Sequence, residues 1–83
     1  MKFTLVYTKR AVKDIQELDP LAQKRLAKKL ESLQEDPIVK SKKLMNSDLG
    51  SYRFRIGDHR VIFDLVGSQV VILRVGHRRE IYR

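Results

Sequence analysis

The chain has no cysteine and no tryptophan, and only two histidines, two prolines and four glycines among its 83 residues. Without cysteine there is no disulfide framework and no thiolate metal site. Two histidines alone make a structural zinc an unexpected feature. No apolar run approaches the ~20 residues needed to span a bilayer, and the N-terminal MKFTLVYTKR lacks the length of a signal peptide. A cytoplasmic protein with no membrane partner is therefore expected. Repeats, low-complexity tracts and linkers are also missing, so residues 1–83 read as a single domain. A chain this short buries only about 60–65% of its unfolded surface, so its core is small.

Cations are what the sequence has in excess. Eighteen Lys and Arg face ten Asp and Glu, for a formal net charge of +8. Charged residues are 34% and hydrophobic residues 42%, the balance of a folded soluble domain. The cations are unevenly distributed: residues 1–50 carry nine Lys and two Arg, whereas residues 51–83 carry seven Arg and no Lys. Lysine commonly solubilises helix surfaces, while the planar guanidinium of arginine suits phosphate held in a defined orientation. A nucleic acid or an acidic protein is the partner class this charge favours.

The C-terminal segment GSYRFRIGDHRVIFDLVGSQVVILRVGHRREIYR organises the rest. Tyr52, Phe54 and Ile56 alternate with Arg53 and Arg55, as in a strand with one apolar and one cationic face. Gly57-Asp58 and Gly67-Ser68 are two-residue hairpin turns. They divide the segment into strands over 52–56, 59–66 and 69–75. A two-residue loop at Gly57-Asp58 places Ile56 opposite His59, Arg55 opposite Arg60 and Arg53 opposite Ile62, gathering three guanidiniums on one face. Like charges directly opposite one another cost roughly 0.2–1 kcal/mol. The arrangement is either a solvated basic face or a site for a polyanion.

Upstream, Phe3–Tyr7 reads as a short strand with Phe3, Leu5 and Tyr7 on one face. Thr8 caps a helix running to about Leu18, with an apolar stripe of Ala11, Val12, Ile15 and Leu18. Asp19-Pro20 starts a second helix to about Glu35, burying Ala22, Leu26, Ala27, Leu30 and Leu33. Its other side carries Lys24, Arg25, Lys28 and Lys29, a solvated helix face or a contact for RNA or an acidic partner. Pro37 ends it. Residues 37–50 form a loop or a helical turn bearing Lys40, Lys42 and Lys43, pinned by Leu44 and Leu49. The fold class is thus α+β: an N-terminal strand, a two-helix hairpin, then a three-stranded antiparallel meander with the helices on one sheet face. Arg53, Arg55 and Arg60 are left on the other face, above a floor of Ile62, Val71, Leu73 and Val75. Gly76 permits a bend that folds the tail, with His77 and Tyr82, over that face. Histidine titrates near neutral pH, and tyrosine can stack on a base.

The run Tyr52-Arg53-Phe54-Arg55-Ile56-Gly57-Asp58-His59-Arg60-Val61-Ile62 and the closing Val75-Gly76-His77-Arg78-Arg79-Glu80-Ile81-Tyr82 resemble the RelE side of the RelE/ParE toxin superfamily. The resemblance extends over nearly the whole chain. It implies a toxin of a type II toxin–antitoxin system with a RelE-like fold. It further implies a ribosome-dependent endoribonuclease that cuts mRNA in the A site by 2′-hydroxyl attack, leaving a 2′,3′-cyclic phosphate, with no metal and no cofactor. Carried over by position, the catalytic set is Arg53, Arg55, Arg60, Arg78 and Tyr82, with His77 a candidate base. Lys40, Lys42, Lys43, Arg79 and Arg83 are candidate RNA contacts. The implied partners are an acidic, RelB-like antitoxin, the ribosome and mRNA, with operator DNA reached only through the antitoxin. Two departures stand out. Some family members carry lysine where this chain has Arg53 and Arg55, and arginine, always protonated, is a poor base. The chain also stops at Arg83, without the C-terminal helix of some relatives. Two other readings share the fold or the charge: a ParE-like inhibitor of DNA gyrase, and a non-catalytic relative that only binds nucleic acid or antitoxin.

Overall fold

Local signals start and stop the helices where the sequence places them. The computed structural model describes residues 2–38, 41–44 and 50–77. After strand β1 (Thr4–Tyr7), Thr8 caps helix α1 (Lys9–Gln16) by accepting a hydrogen bond from the Ala11 N–H at 3.1 Å. Asp19 caps helix α2 (Pro20–Glu35) through the Ala22 N–H at 3.0 Å, with Pro20 in the first turn, where its missing N–H leaves no donor unsatisfied. Gln23 closes the helical hairpin: its side-chain amide donates to the Ile15 and Leu18 carbonyls at the end of α1. Gln34 ties the far end of α2 to the chain entering β1, donating from its side chain to the Phe3 carbonyl while its own carbonyl accepts from the Phe3 N–H.

Four more strands complete the fold: β2 (Ser41–Lys43), β3 (Tyr52–Ile56), β4 (His59–Val66) and β5 (Gln69–His77). The sheet has five strands in the order β1-β5-β4-β3-β2; β1 and β5 run parallel and the other pairs antiparallel. Gly57 and Gly67, at φ of +57° and +59°, supply the left-handed backbone that the two tight hairpins require.

The helices cover one sheet face. Ala11, Leu26, Leu30 and Leu33 pack there on Phe54, Val61, Phe63, Val70, Ile72 and Val75, all at most 4% exposed. Tyr52 stacks on its cross-strand partner Phe63, with ring centroids 5.4 Å apart and planes 15° from parallel.

The α+β class and the helices-on-one-face layering match expectation, with four adjustments. Part of the expected 37–50 loop is β2, which pairs with β3 at the edge. β1 joins the sheet by a parallel pairing with β5, a long-range contact with no local sequence signal. Ala27, expected to be buried, is exposed, as are Val12 of the apolar stripe of α1, at 42%, and Tyr7, at 41%. Together with Ile15, Leu26 and Leu30 they line a shallow apolar groove of about 310 Å³. Finally, β4 and β5 carry an irregularity: Ile62 pairs with Arg74 but Phe63 pairs with Ile72, so Leu73 is an extra residue. That shift moves Val75 off the expected floor and into the helix-side core, where it is 2% exposed. Leu49, the other expected loop anchor, lies outside the described residues.

The second sheet face is not bare. The chain before β3 lies against it, with the Ser51 N–H donating to Asp64 Oδ1 at 2.7 Å. A methyl group on Gly50 would sit 2.7 Å from Ile62 Cγ2 and 2.8 Å from Leu73 Cδ1. Leucine can turn a terminal methyl away, but the β-branched Ile62 cannot. Gly50→Ala is therefore expected to destabilise the domain by about 1–3 kcal/mol, as overpacking does. Chemical denaturation of the purified variant checks this; an unchanged midpoint would show that the segment can move off the sheet at little cost.

Candidate functional site

A two-residue hairpin loop dictates which β3 and β4 residues are neighbours, and the expected register is the one found. Ile56 pairs with His59, Arg55 with Arg60 and Arg53 with Ile62. Since side chains alternate along a strand, Arg53, Arg55 and Arg60 share the face away from the helices. Strand β2 extends the row, because Lys42 pairs with Arg53. Lys43 pairs with Tyr52 and so falls on the other face of that edge strand. The face thus runs from Lys42 through Arg53 and Arg55 to Arg60, with Ile62 and Leu73 beneath the chain at Gly50.

The three arginines differ in freedom. Arg55 is exposed, Arg53 half-buried, and Arg60, on the central strand β4, only 5% exposed. A guanidinium on a central strand keeps its orientation, whereas one at an exposed position can follow its ligand. On β5 the cross-strand partner of Arg60 is Gly76, which places no side chain beside it. A ribbon face of this kind offers several N–H donors to phosphate oxygens, on side chains of graded exposure.

The structure moves two expected features. β5 continues through Gly76 to His77, so there is no bend at Gly76. His77 pairs with His59, ring centroids 6.1 Å apart and near perpendicular. Both histidines line a polar cleft of about 700 Å³ on the helix side, with Arg10, Asp14, Glu17, Asp19 and Arg74. The extra residue at Leu73 is the cause: it shifts the alternation so that Val75 and His77 face the helices. His77 is therefore across the sheet from the arginines, and not over them as expected. Lys40, Arg78, Arg79, Tyr82 and Arg83 lie outside the described residues.

One residue of note was not anticipated from sequence. Asp14 is 9% exposed and accepts from Arg74 Nε at 2.9 Å and from the Val75 N–H at 3.0 Å. Its signal was a carboxylate three residues after Ala11, on the buried stripe of an amphipathic helix, where a charge must have partners. Among the described residues, no group of three or more His, Asp or Glu is placed to hold a metal ion, and no helix is long and apolar enough to cross a membrane.

Comparison with known proteins agrees with this geometry. The model of the ParE toxin of type II toxin–antitoxin systems matches residues 5–82. The toxin RelE1 of Methanocaldococcus jannaschii is 36% identical, over 96% of this chain and 93% of that protein. Toxin RelG of Mycobacterium tuberculosis is 34% identical over 100% and 99%. Among solved structures, the fold superposes on a chain of the M. tuberculosis RelBE2 toxin–antitoxin complex with a TM-score of 0.86, at 27% identity, covering 94% of this chain and 100% of that one. It superposes on a chain of the RelE–RelB complex of Pyrococcus horikoshii with a TM-score of 0.78, at 25% identity over 96% and 99%. The chain belongs to the RelE/ParE superfamily and is a RelE-family toxin of a type II toxin–antitoxin system.

Proposed function

We propose that this toxin is a ribosome-dependent endoribonuclease that cuts mRNA in the ribosomal A site. The observation that carries the reading is the register of the β3–β4 hairpin, which gathers Arg53, Arg55 and Arg60 on one face. A protein selected for stability alone gains nothing from pairing Arg55 directly with Arg60.

The reaction follows from what arginine can and cannot do. The ribose 2′-oxygen attacks the adjacent phosphorus and the P–O5′ bond breaks, giving a 2′,3′-cyclic phosphate and a 5′-hydroxyl. The nucleophile is already part of the substrate, so the route calls for no metal-bound water. Arg60 and Arg78 donate to the phosphoryl oxygens as charge builds on them. Arg53 and Arg55 hold the flanking phosphates, and Lys42 extends that track. Lys40, Arg79 and Arg83 add further phosphate contacts, whereas Lys43, on the other face of β2, does not. Tyr82 stacks on the nucleotide and orients it. Arginine accepts no proton at neutral pH, and His77 lies across the sheet, so no base is assigned among the described residues. The 2′-proton passes to Tyr82, to solvent or to a ribosomal group, and catalysis rests on orientation and charge stabilisation.

The second reading, inhibition of DNA gyrase, is favoured by the ParE description of the matching family model. The RelE-type relatives and the arginine face favour cleavage. Primer extension on mRNA translated in vitro separates the two. Wild type should cut within A-site codons only when ribosomes are present. Arg60→Ala should lose cleavage by about 100-fold or more, the usual effect of removing one group that stabilises transition-state charge, while still binding antitoxin. Intact mRNA with folded wild-type protein would favour gyrase inhibition or a pure binder.

An acidic, RelB-like antitoxin is the proposed protein partner, holding the toxin inactive and carrying it to operator DNA. The +8 charge and the apolar groove of Tyr7, Val12 and Ala27 suit an acidic amphipathic segment. The complex should weaken with salt, its dissociation constant rising about tenfold or more from 0.1 to 0.5 M NaCl, as the charge attraction is screened. Calorimetric titration at both concentrations reads this, and a salt-independent constant would contradict the charge-driven pairing.

A further inference from the structure

The buried stripe of α1 carries one misfit that the cleavage step does not use. Asp14 makes its contacts 60 and 61 residues away in sequence, with Arg74 and Val75. Its other oxygen, Oδ1, lies 3.7 Å from Arg10 Nε. Arg10 is on the same helix and largely exposed, so that pair contributes little. The contacts to β5 are the informative ones.

They fall where β5 loses its neighbour. β1 pairs with β5 only as far as Tyr7 and Ile72. Beyond Ile72 the outer edge of β5 would present open backbone groups. The start of α1 takes over: the Thr8 N–H donates to the Ile72 carbonyl at 3.1 Å, and the Thr8 hydroxyl donates to the Leu73 carbonyl at 3.2 Å. Asp14 covers the next open donor, the Val75 N–H, and holds the Arg74 guanidinium beside it. The next residue along, Gly76, is the cross-strand partner of Arg60. Arg78 follows one residue after β5 ends.

We propose that Asp14 is a positioning residue for mRNA cleavage, its carboxylate clamping Arg74 and Val75 so that the end of β5 holds Arg60 in place. The proposal rests on the endoribonuclease reading above. A carboxylate suits the role because it accepts from both neighbours at once. Both donors converge on Oδ2. An asparagine oxygen in that place still accepts from both, but the bond to the guanidinium loses its charge assistance, and the NH₂ group replaces Oδ1 beside Arg10, donor against donor. A misplacement of about 1 Å at a distance from the chemistry can lower a rate about 100-fold.

The test compares wild type, Asp14→Asn and Arg74→Gln on programmed ribosomes under single-turnover conditions. Amide hydrogen exchange is followed on the same proteins. Asp14→Asn should lower the maximal cleavage rate about tenfold or more, while the half-saturating ribosome concentration and the antitoxin affinity stay within about twofold. Exchange should quicken at Val75, Gly76 and His77 and stay slow at Leu30 and Phe63. Arg74→Gln, which keeps the Val75 bond, should show the same pattern more weakly. An unchanged maximal rate in Asp14→Asn overturns the role. So does a rate loss accompanied by faster exchange throughout the chain, which is simple destabilisation. If Asp14→Asn does not fold, Arg74→Gln decides alone: a wild-type rate despite faster exchange at Val75 refutes the clamp. A wild type that cleaves nothing overturns the endoribonuclease reading and this role with it. A wild type that cleaves no better than Asp14→Asn overturns this role alone.

Discussion

One extra residue in β5 decides which side chains share a face of the sheet. Had β5 kept the register it has at Val70 and Leu65, Arg74 would oppose Val61 in the core and Val75 would oppose Arg60. The extra residue at Leu73 reverses the alternation beyond it. Val75 then enters the core, the small Gly76 comes to lie beside Arg60, and Arg74 is freed to reach Asp14 at the strand edge. A buried guanidinium in the core would need partners that the surrounding Val, Phe and Leu side chains do not offer. The irregularity thus settles both the integrity of the core and the space around the most buried residue of the cationic face.

The cationic face depends on that arrangement but is made by a different device. The Gly57-Asp58 loop sets Arg55 against Arg60 and Arg53 against Ile62 whatever happens further along. Arginine at these positions narrows the chemistry. A lysine with a depressed pKa can accept a proton, whereas a guanidinium is confined to donating hydrogen bonds and neutralising charge. A face of this composition holds and polarises a phosphodiester and leaves deprotonation to another group. The helices serve the face from behind, packing Leu26, Leu30 and Leu33 on the opposite side of the same strands. Through Thr8 and Asp14, α1 also closes the edge of β5 that β1 is too short to cover.

Most of this was legible where the signal is local. Thr8, Asp19-Pro20 and Pro37 mark helix ends because caps and proline act within one turn. The two Gly-led turns mark hairpins, and a two-residue loop fixes its own register. What escaped is set by distant parts of the chain. The parallel pairing of β1 with β5 brings together segments more than sixty residues apart. β2 is Ser-Lys-Lys, a strand made by its neighbour rather than by its composition. The extra residue at Leu73 sits in an unbroken apolar run with no glycine to announce it, while Gly76, which reads as a bend carrying His77 over the arginines, is strand. Asp14 was visible as a charge on an apolar stripe, but its partners in β5 were not.

The chemistry of the arginine face turns on which oxygen attacks the phosphorus. A messenger bearing a single 2′-deoxy nucleotide immediately 5′ of the scissile phosphate, presented in the ribosomal A site, tests it most directly. If the 2′-hydroxyl is the nucleophile, cleavage at that phosphate disappears, while the all-ribose messenger gives a 2′,3′-cyclic phosphate and a 5′-hydroxyl. Cleavage of the deoxy-substituted messenger, or products ending in 3′-hydroxyl and 5′-phosphate, would contradict the account.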